Sequence, residues 1–248
     1  MLSMACALSI AALAFPAPAA RIQDRTHLTA ADILSMQGKT MAITLHAPTP
    51  YIRTDRGAVW TGILIHPALA QVKDEDFKVS NELTDPSVVA RDLLATALRD
   101  AHGLQPHAVD TTETDETRPK RLAALHPDVD FILDVRTLHW QHAYTMKKQG
   151  QPHLTLEFQL INVATRHTDA WMRCDTYVDG ILPRRNKSDP LFTTLESDGG
   201  QTLRHAFSVL AARCARKFAS QRLLISPEIL AATMALADLD LYTVPGAN

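Results

Sequence analysis

His153-Leu154-Thr155-Leu156-Glu157-Phe158-Gln159-Leu160-Ile161-Asn162-Val163 is the stretch on which the fold turns. Successive side chains of a strand point to opposite faces, so Leu154, Leu156, Phe158 and Leu160 share one face, and Thr155, Glu157 and Gln159 the other. No helical stripe fits that alternation. It predicts a strand with one apolar and one solvated face, the signature of an antiparallel arrangement.

The neighbours complete a meander. Asp130 to Gln141 places Phe131, Leu133 and Val135 together, and Ala170 to Val178 does the same for Met172, Cys174, Thr176 and Val178. Loops around Gly150 and from Thr165 to Asp169 join the three strands. Downstream, Gln201 to Ser220 carries Leu203, Phe207, Leu210, Cys214 and Phe218 on one helical face, opposite Arg204, Ser208, Arg213 and Arg216. That helix is expected to cover the sheet.

Upstream, Thr29 is expected to cap a helix over Ala30 to Gln37, followed by a first strand from Lys39 to His46. Asp85-Pro86 is an N-cap followed by proline at the first helical position. Ala90, Leu94, Ala97, Leu98 and Ala101 then trace one stripe up to Gly103. Leu104 to Val109 fits a short strand, Thr111 to Thr117 an acidic loop, and Arg118 to His126 a helix ended by Pro127. The expected fold class is α/β (α+β): a mixed sheet with an antiparallel C-terminal meander, packed by helices. Residues 47–84 show no clear period, and a loop or a short helix fits them equally. A segment from Pro227 keeps helical spacing through Leu230, Met234, Ala237 and Leu241. The expected organisation is a leader over residues 1–19, one α/β domain over 20–226 with an irregular insertion at about 47–84, and a helical tail over 227–248.

The leader sets the compartment. Met1 to Ala19 contains no charge, runs apolar from Ala5 to Phe15 with Ser9 as its one polar side chain, and offers Ala17 and Ala19 as a small-x-small cleavage site. The apolar core is too short to span a bilayer. No Lys or Arg precedes it, which suggests a true start upstream. Ser3-Met4-Ala5-Cys6 offers lipidation of Cys6 as an alternative to cleavage. The expected location is periplasmic or secreted, with membrane contact only through such an N-terminal anchor.

Cleavage would leave two cysteines, Cys174 and Cys214, both on apolar faces that would meet. In an oxidising compartment they are expected to form a disulfide, with two buried thiols as the alternative. Two cysteines alone lack the further ligands zinc needs. A formal net charge of -2 over 248 residues argues against nucleic acid as a partner.

The chemistry-bearing residues form no reaction signature. Eleven histidines are scattered, and His139 and His142, three apart on a strand, should point to opposite faces. There is no G-x-S-x-G elbow, P-loop or G-x-G-x-x-G. No catalytic, cofactor or metal residue is assigned, and no cofactor is expected. Trp60, Ile63, Leu64 and Ile65 form an apolar run that could be a partner surface or a lid on the sheet. Trp140 and Trp171 fit core edges.

Three local patterns resemble a family. Asp85-Pro86 opens the first long helix, Val129-Asp130-Phe131-Ile132-Leu133-Asp134-Val135 forms an xDxxLxV strand, and Leu160-Ile161-Asn162-Val163-Ala164-Thr165 leads to Trp171 in a hairpin. With the order of elements over residues 39–224, these are similar to exported α/β domains such as the N-terminal domain of TolB and the envelope proteins CsgG, PelC and LpoB. The resemblance implies a non-catalytic envelope domain that binds an envelope protein or self-associates. A periplasmic hydrolase or metal-dependent enzyme whose site assembles only in the fold, and a small-ligand-binding protein, are the alternatives.

Overall fold

The structure, a computed structural model, describes residues 27–54, 71–107, 113–143, 151–177 and 198–236. Its helices begin and end where local chemistry allows. Thr29 and Asp32 form a capping box at α1 (Ala30–Met36). Asp74 caps α2 (Glu75–Ser80) by accepting from the Phe77 N–H. In α3 (Pro86–His102), Asp85 accepts from the Ser87 N–H, Pro86 occupies the first turn, and Gly103 ends the helix at φ 71°. The remaining helices among the described residues are α4 (Pro119–Leu125), α5 (Gln201–Gln221) and α6 (Pro227–Leu236).

One seven-stranded sheet is built around β7 (Phe131–Ala143), its longest strand. On one side β7 pairs antiparallel with β8 (Gln151–Asn162), which pairs antiparallel with β9 (His167–Tyr177). On the other side the two ends of β7 serve different partners. Its start runs parallel to β1 (Thr40–Ile43), with Leu133 opposite Ile43, and its end runs parallel to β3 (Ile52–Thr54), with Gln141 opposite Ile52. β1 continues to β5 (Gln105–Pro106) and β3 to β4 (Gln71–Lys73). A separate two-stranded ladder joins β2 (Leu45–His46) to β6 (Glu113–Thr114). The mixed sheet with an antiparallel C-terminal meander is thus the observed fold class.

The main core lies between the sheet and α3, α5 and α6. Leu154, Leu156, Phe158 and Leu160 are all fully buried there, with Phe131, Leu133, Val135, Leu98, Leu210 and Phe218. Each such side chain stabilises the fold by about 1.5–3 kcal/mol relative to exposure. Leu230 and Met234 seat α6 in the same core.

Three expectations need correction. The strand foreseen over Lys39 to His46 is interrupted at Thr44, whose N–H and hydroxyl turn to the Leu133 carbonyl and Asp134, so β1 and β2 enter different ladders. Within 47–84, where the expectation is a loop or a short helix, α2 is such a helix, but β3 and β4 are strands of three residues that pairing with β7 and with each other creates. The second face of the meander is not simply solvated: α4 lays Leu122 over Ile132, Ile161 and Ala42 in a second small core, and Thr155 and Gln159 are buried.

Candidate functional site

Cys174 and Cys214 form a disulfide, with Cα atoms 5.8 Å apart and a sequence separation of 40. Strand alternation brings Cys174 to the inner face of β9, and helical spacing brings Cys214 to the buried face of α5. The bridge therefore pins the middle of an edge strand to the helix that covers it.

Three histidine clusters flank the sheet, each with its chemistry committed. The Nδ1–H of His46 donates to the Thr114 carbonyl at 2.9 Å and its Nε2 meets Asp134 Oδ1 at 2.5 Å, while the Thr44 hydroxyl donates to the same oxygen at 2.6 Å. Burial would depress the His46 pKa, but the hydrogen bond and charge of Asp134, helped by the Thr114 carbonyl, raise it above its usual value. Both ring nitrogens are engaged, an arrangement that favours the protonated form, and the ring ties the β2–β6 ladder to β7. Neither nitrogen is left to accept a substrate proton.

On the main-core face, the Tyr51 hydroxyl hydrogen-bonds to Nδ1 of His142, and both side chains are fully buried. Trp140 meets Tyr51 edge-on at 4.9 Å, and Phe77 lies 5.5 Å from the His142 ring. Burial, followed by the nearby Arg53 charge, lowers the His142 pKa to about 4. At neutral pH the ring is neutral, and a single proton is shared across its contact with the Tyr51 hydroxyl.

The third cluster lies on the opposite face. His153 Nε2 is 2.5 Å from Asp175 Oδ1, the Thr155 hydroxyl donates to that oxygen at 3.2 Å, and the His139 ring stands 5.5 Å from His153. Burial and then the His153 charge depress His139. For Asp175, burial acts upward, but the bond to His153 and its charge pull the carboxyl below its ordinary range. Beside them Arg136 is paired with Glu157. Among the described residues, no group of three or more His, Cys, Asp or Glu side chains is placed to hold a metal ion.

His139 and His142 fall on opposite faces of β7, with a register irregularity before His139. Trp140 is fully buried and its indole N–H donates to the Thr49 carbonyl at 2.7 Å. Trp171 is not a core edge: it points outward from β9 and is 40% exposed. Along that face Arg173 and Asp175 are exposed, as is Tyr177 at 48%. Trp60, Ile63, Leu64 and Ile65, and the leader with Cys6, lie outside the described residues. Sequence reasoning missed the contacts of His46 with Asp134 and of Tyr51 with His142, which span 88 and 91 residues. Nothing local marks either pair.

No known family description matches the chain, and no curated protein matches it. Solved structures give distant likenesses. A PelC dodecamer from Paraburkholderia phytofirmans is 13% identical, with 75% of this chain and 91% of that chain covered and a TM-score of 0.29. The hypothetical protein CT253 from Chlamydia trachomatis is 9% identical, covering 73% and 96%, with a TM-score of 0.32. The lipoprotein GNA1162 from Neisseria meningitidis is 11% identical, covering 66% and 98%, with a TM-score of 0.26. At these scores the likenesses do not carry a function to this chain.

Proposed function

We propose that this chain is an exported, envelope-associated protein that works by binding protein, either an envelope partner or a further copy of itself, and performs no catalysis. The observation that carries the reading is the Cys174–Cys214 bridge. A buried disulfide is formed and kept in an oxidising compartment, which agrees with an uncharged apolar leader over Met1 to Ala19. The bridge braces β9, the strand that presents Trp171, Arg173, Asp175 and Tyr177 outward. Aromatic and arginine side chains on a rigid element are the usual anchors of protein recognition. His46, His142 and His153 engage tyrosine, carboxylate and backbone groups within the fold, which supports a structural part for them. The Trp60 segment belongs to the same reading as a second contact surface.

The test is to express the full chain with its leader, fractionate the cell, and label thiols before and after reduction. The expected product is a leader-free or N-terminally lipidated protein outside the cytosol whose two remaining cysteines react only after reduction. Reversible cross-linking there should trap a discrete complex. A full-length cytosolic protein with freely reactive Cys174 and Cys214 would overturn the reading.

A further inference from the structure

β9 is one edge of the seven-stranded sheet, and among the described residues it pairs with β8 alone. Proteins usually blunt such an edge with proline, lysine or a bulge. β9 has a register irregularity near its start, between the pairs at Leu160 and Ile161, and from Ala170 to Tyr177 it pairs with β8 without interruption and contains neither proline nor lysine. Its eleven residues are long for an edge strand.

The outward pattern is self-complementary. Trp171, Arg173, Asp175 and Tyr177 are exposed on one face of β9, with Met172, Cys174 and Thr176 on the other. If a second β9 were added antiparallel about a two-fold axis, the continuous sheet would require outward residues to face outward residues, so the axis must pass through a residue. An axis at Arg173 sets Arg173 against Arg173, and an axis at Asp175 sets Asp175 against Asp175. An axis at Cys174 sets Arg173 against Asp175 twice and Trp171 against Tyr177 twice. Unlike charges and aromatic pairs directly opposite one another stabilise an antiparallel pair, and like charges destabilise it.

We propose that two copies of this chain associate through β9, antiparallel about a two-fold axis at Cys174, to make one continuous sheet. The proposal rests on the self-association arm of the function proposed above. Asp175 is suited to it: Oδ1 takes the His153 and Thr155 bonds, and the side chain stays 66% exposed, leaving it accessible to a guanidinium from the second copy. The disulfide holds β9 at the axis itself, so less freedom is lost on pairing.

The experiment is native mass spectrometry and sedimentation of the leader-free, disulfide-intact chain across a range of micromolar concentrations. A dimer is expected. Arg173→Asp places carboxylates opposite one another at both ends of the contact and should weaken the dimer about tenfold or more. Asp175→Arg should do the same, and the exchange Arg173→Asp with Asp175→Arg should restore association. Because Asp175 also holds His153, thermal melts accompany each variant. Trp171→Ser gives an independent reading with the ion pairs intact, and is expected to weaken the dimer with an unchanged melt. A dimer unmoved by Arg173→Asp and Trp171→Ser overturns this edge while leaving self-association in place. A wild-type monomer that still holds an envelope partner overturns it while leaving protein binding in place.

Discussion

His46 Nε2 lies 2.5 Å from Asp134 Oδ1, with the histidine side chain 10% and the aspartate 1% exposed. The contact joins β2 to the centre of β7 across 88 residues of sequence. A buried pair of this kind is costly to break, because removing one partner strands the other charge away from water. Here the stranded group would be a carboxylate whose Oδ2 already has no hydrogen-bond partner among the described residues.

The pair fixes a pH dependence with a definite sign. The folded pKa of His46 is raised, since burial is outweighed by Asp134 and the Thr114 carbonyl, so the pair's contribution is fully present below the unfolded value of 6.5 and is lost as pH rises through the folded pKa. Arg136 opposes protonation and limits the upward shift. His46→Ala should cost about 3 kcal/mol at pH 6 and less at pH 9. Denaturant melts of both proteins at the two pH values check this. An equal cost at both would mean that the ring acts by packing alone.

His142 sets the opposite limb. Its folded pKa of about 4 lies below the unfolded 6.5, so the neutral ring stabilises the fold fully above pH 6.5, and that contribution is lost progressively as pH falls toward 4. The full span is on the order of 3 kcal/mol. His142→Phe keeps the ring against Phe77 but removes the titration, so its stability should fall less than that of the wild type between pH 7 and pH 4.5. Parallel melting curves over that interval would refute the assignment.

The bridge between Cys174 and Cys214 closes a loop of 40 residues. On the chain-entropy account it stabilises the fold by about 4 kcal/mol. Cys174→Ser with Cys214→Ser should lower the denaturant midpoint accordingly, and reductant should lower the wild-type midpoint to a similar value without moving that of the variant. Any shift of the variant on reduction would implicate another sulfur.

What could be read from the chain follows the range of the interactions. Leu154, Leu156, Phe158 and Leu160 declared β8 because period-two burial is written in adjacent residues, and Asp85-Pro86 with Gly103 bracketed α3 because caps are local. Cys174 and Cys214 could be matched since each lay on an element whose buried face was already legible. β3 escaped because Ile52-Arg53-Thr54 becomes a strand only by pairing with the far end of β7. Gln159 looked solvated, yet its carbonyl accepts from Thr168 of β9 and its amide donates to the Thr117 carbonyl, a partner that only the folding back of the loop before α4 supplies.

A last prediction concerns the start of α5. Gly199 and Gly200 both have positive φ, 63° and 77°, and they turn the chain into the helix, whose Thr202 N–H donates to the Asp198 carboxylate at 3.0 Å. A Cβ on Gly199 would meet nothing within 4 Å, whereas one on Gly200 would stand 2.6 Å from Asn81 Cβ and 3.0 Å from the Asn81 carbonyl oxygen. That carbonyl also accepts from the Arg204 guanidinium, which donates to the Gly199 carbonyl at 2.9 Å as well, so Asn81 is held in place and has little room to retreat. Left-handed backbone alone costs an alanine about 1–2 kcal/mol, and the clash adds to it at one position only. Gly199→Ala should therefore cost about 1 kcal/mol and Gly200→Ala distinctly more, roughly 3 kcal/mol. Urea melts of the two variants decide it, and equal losses would show that conformation, not the approach of Asn81, sets the demand for glycine here.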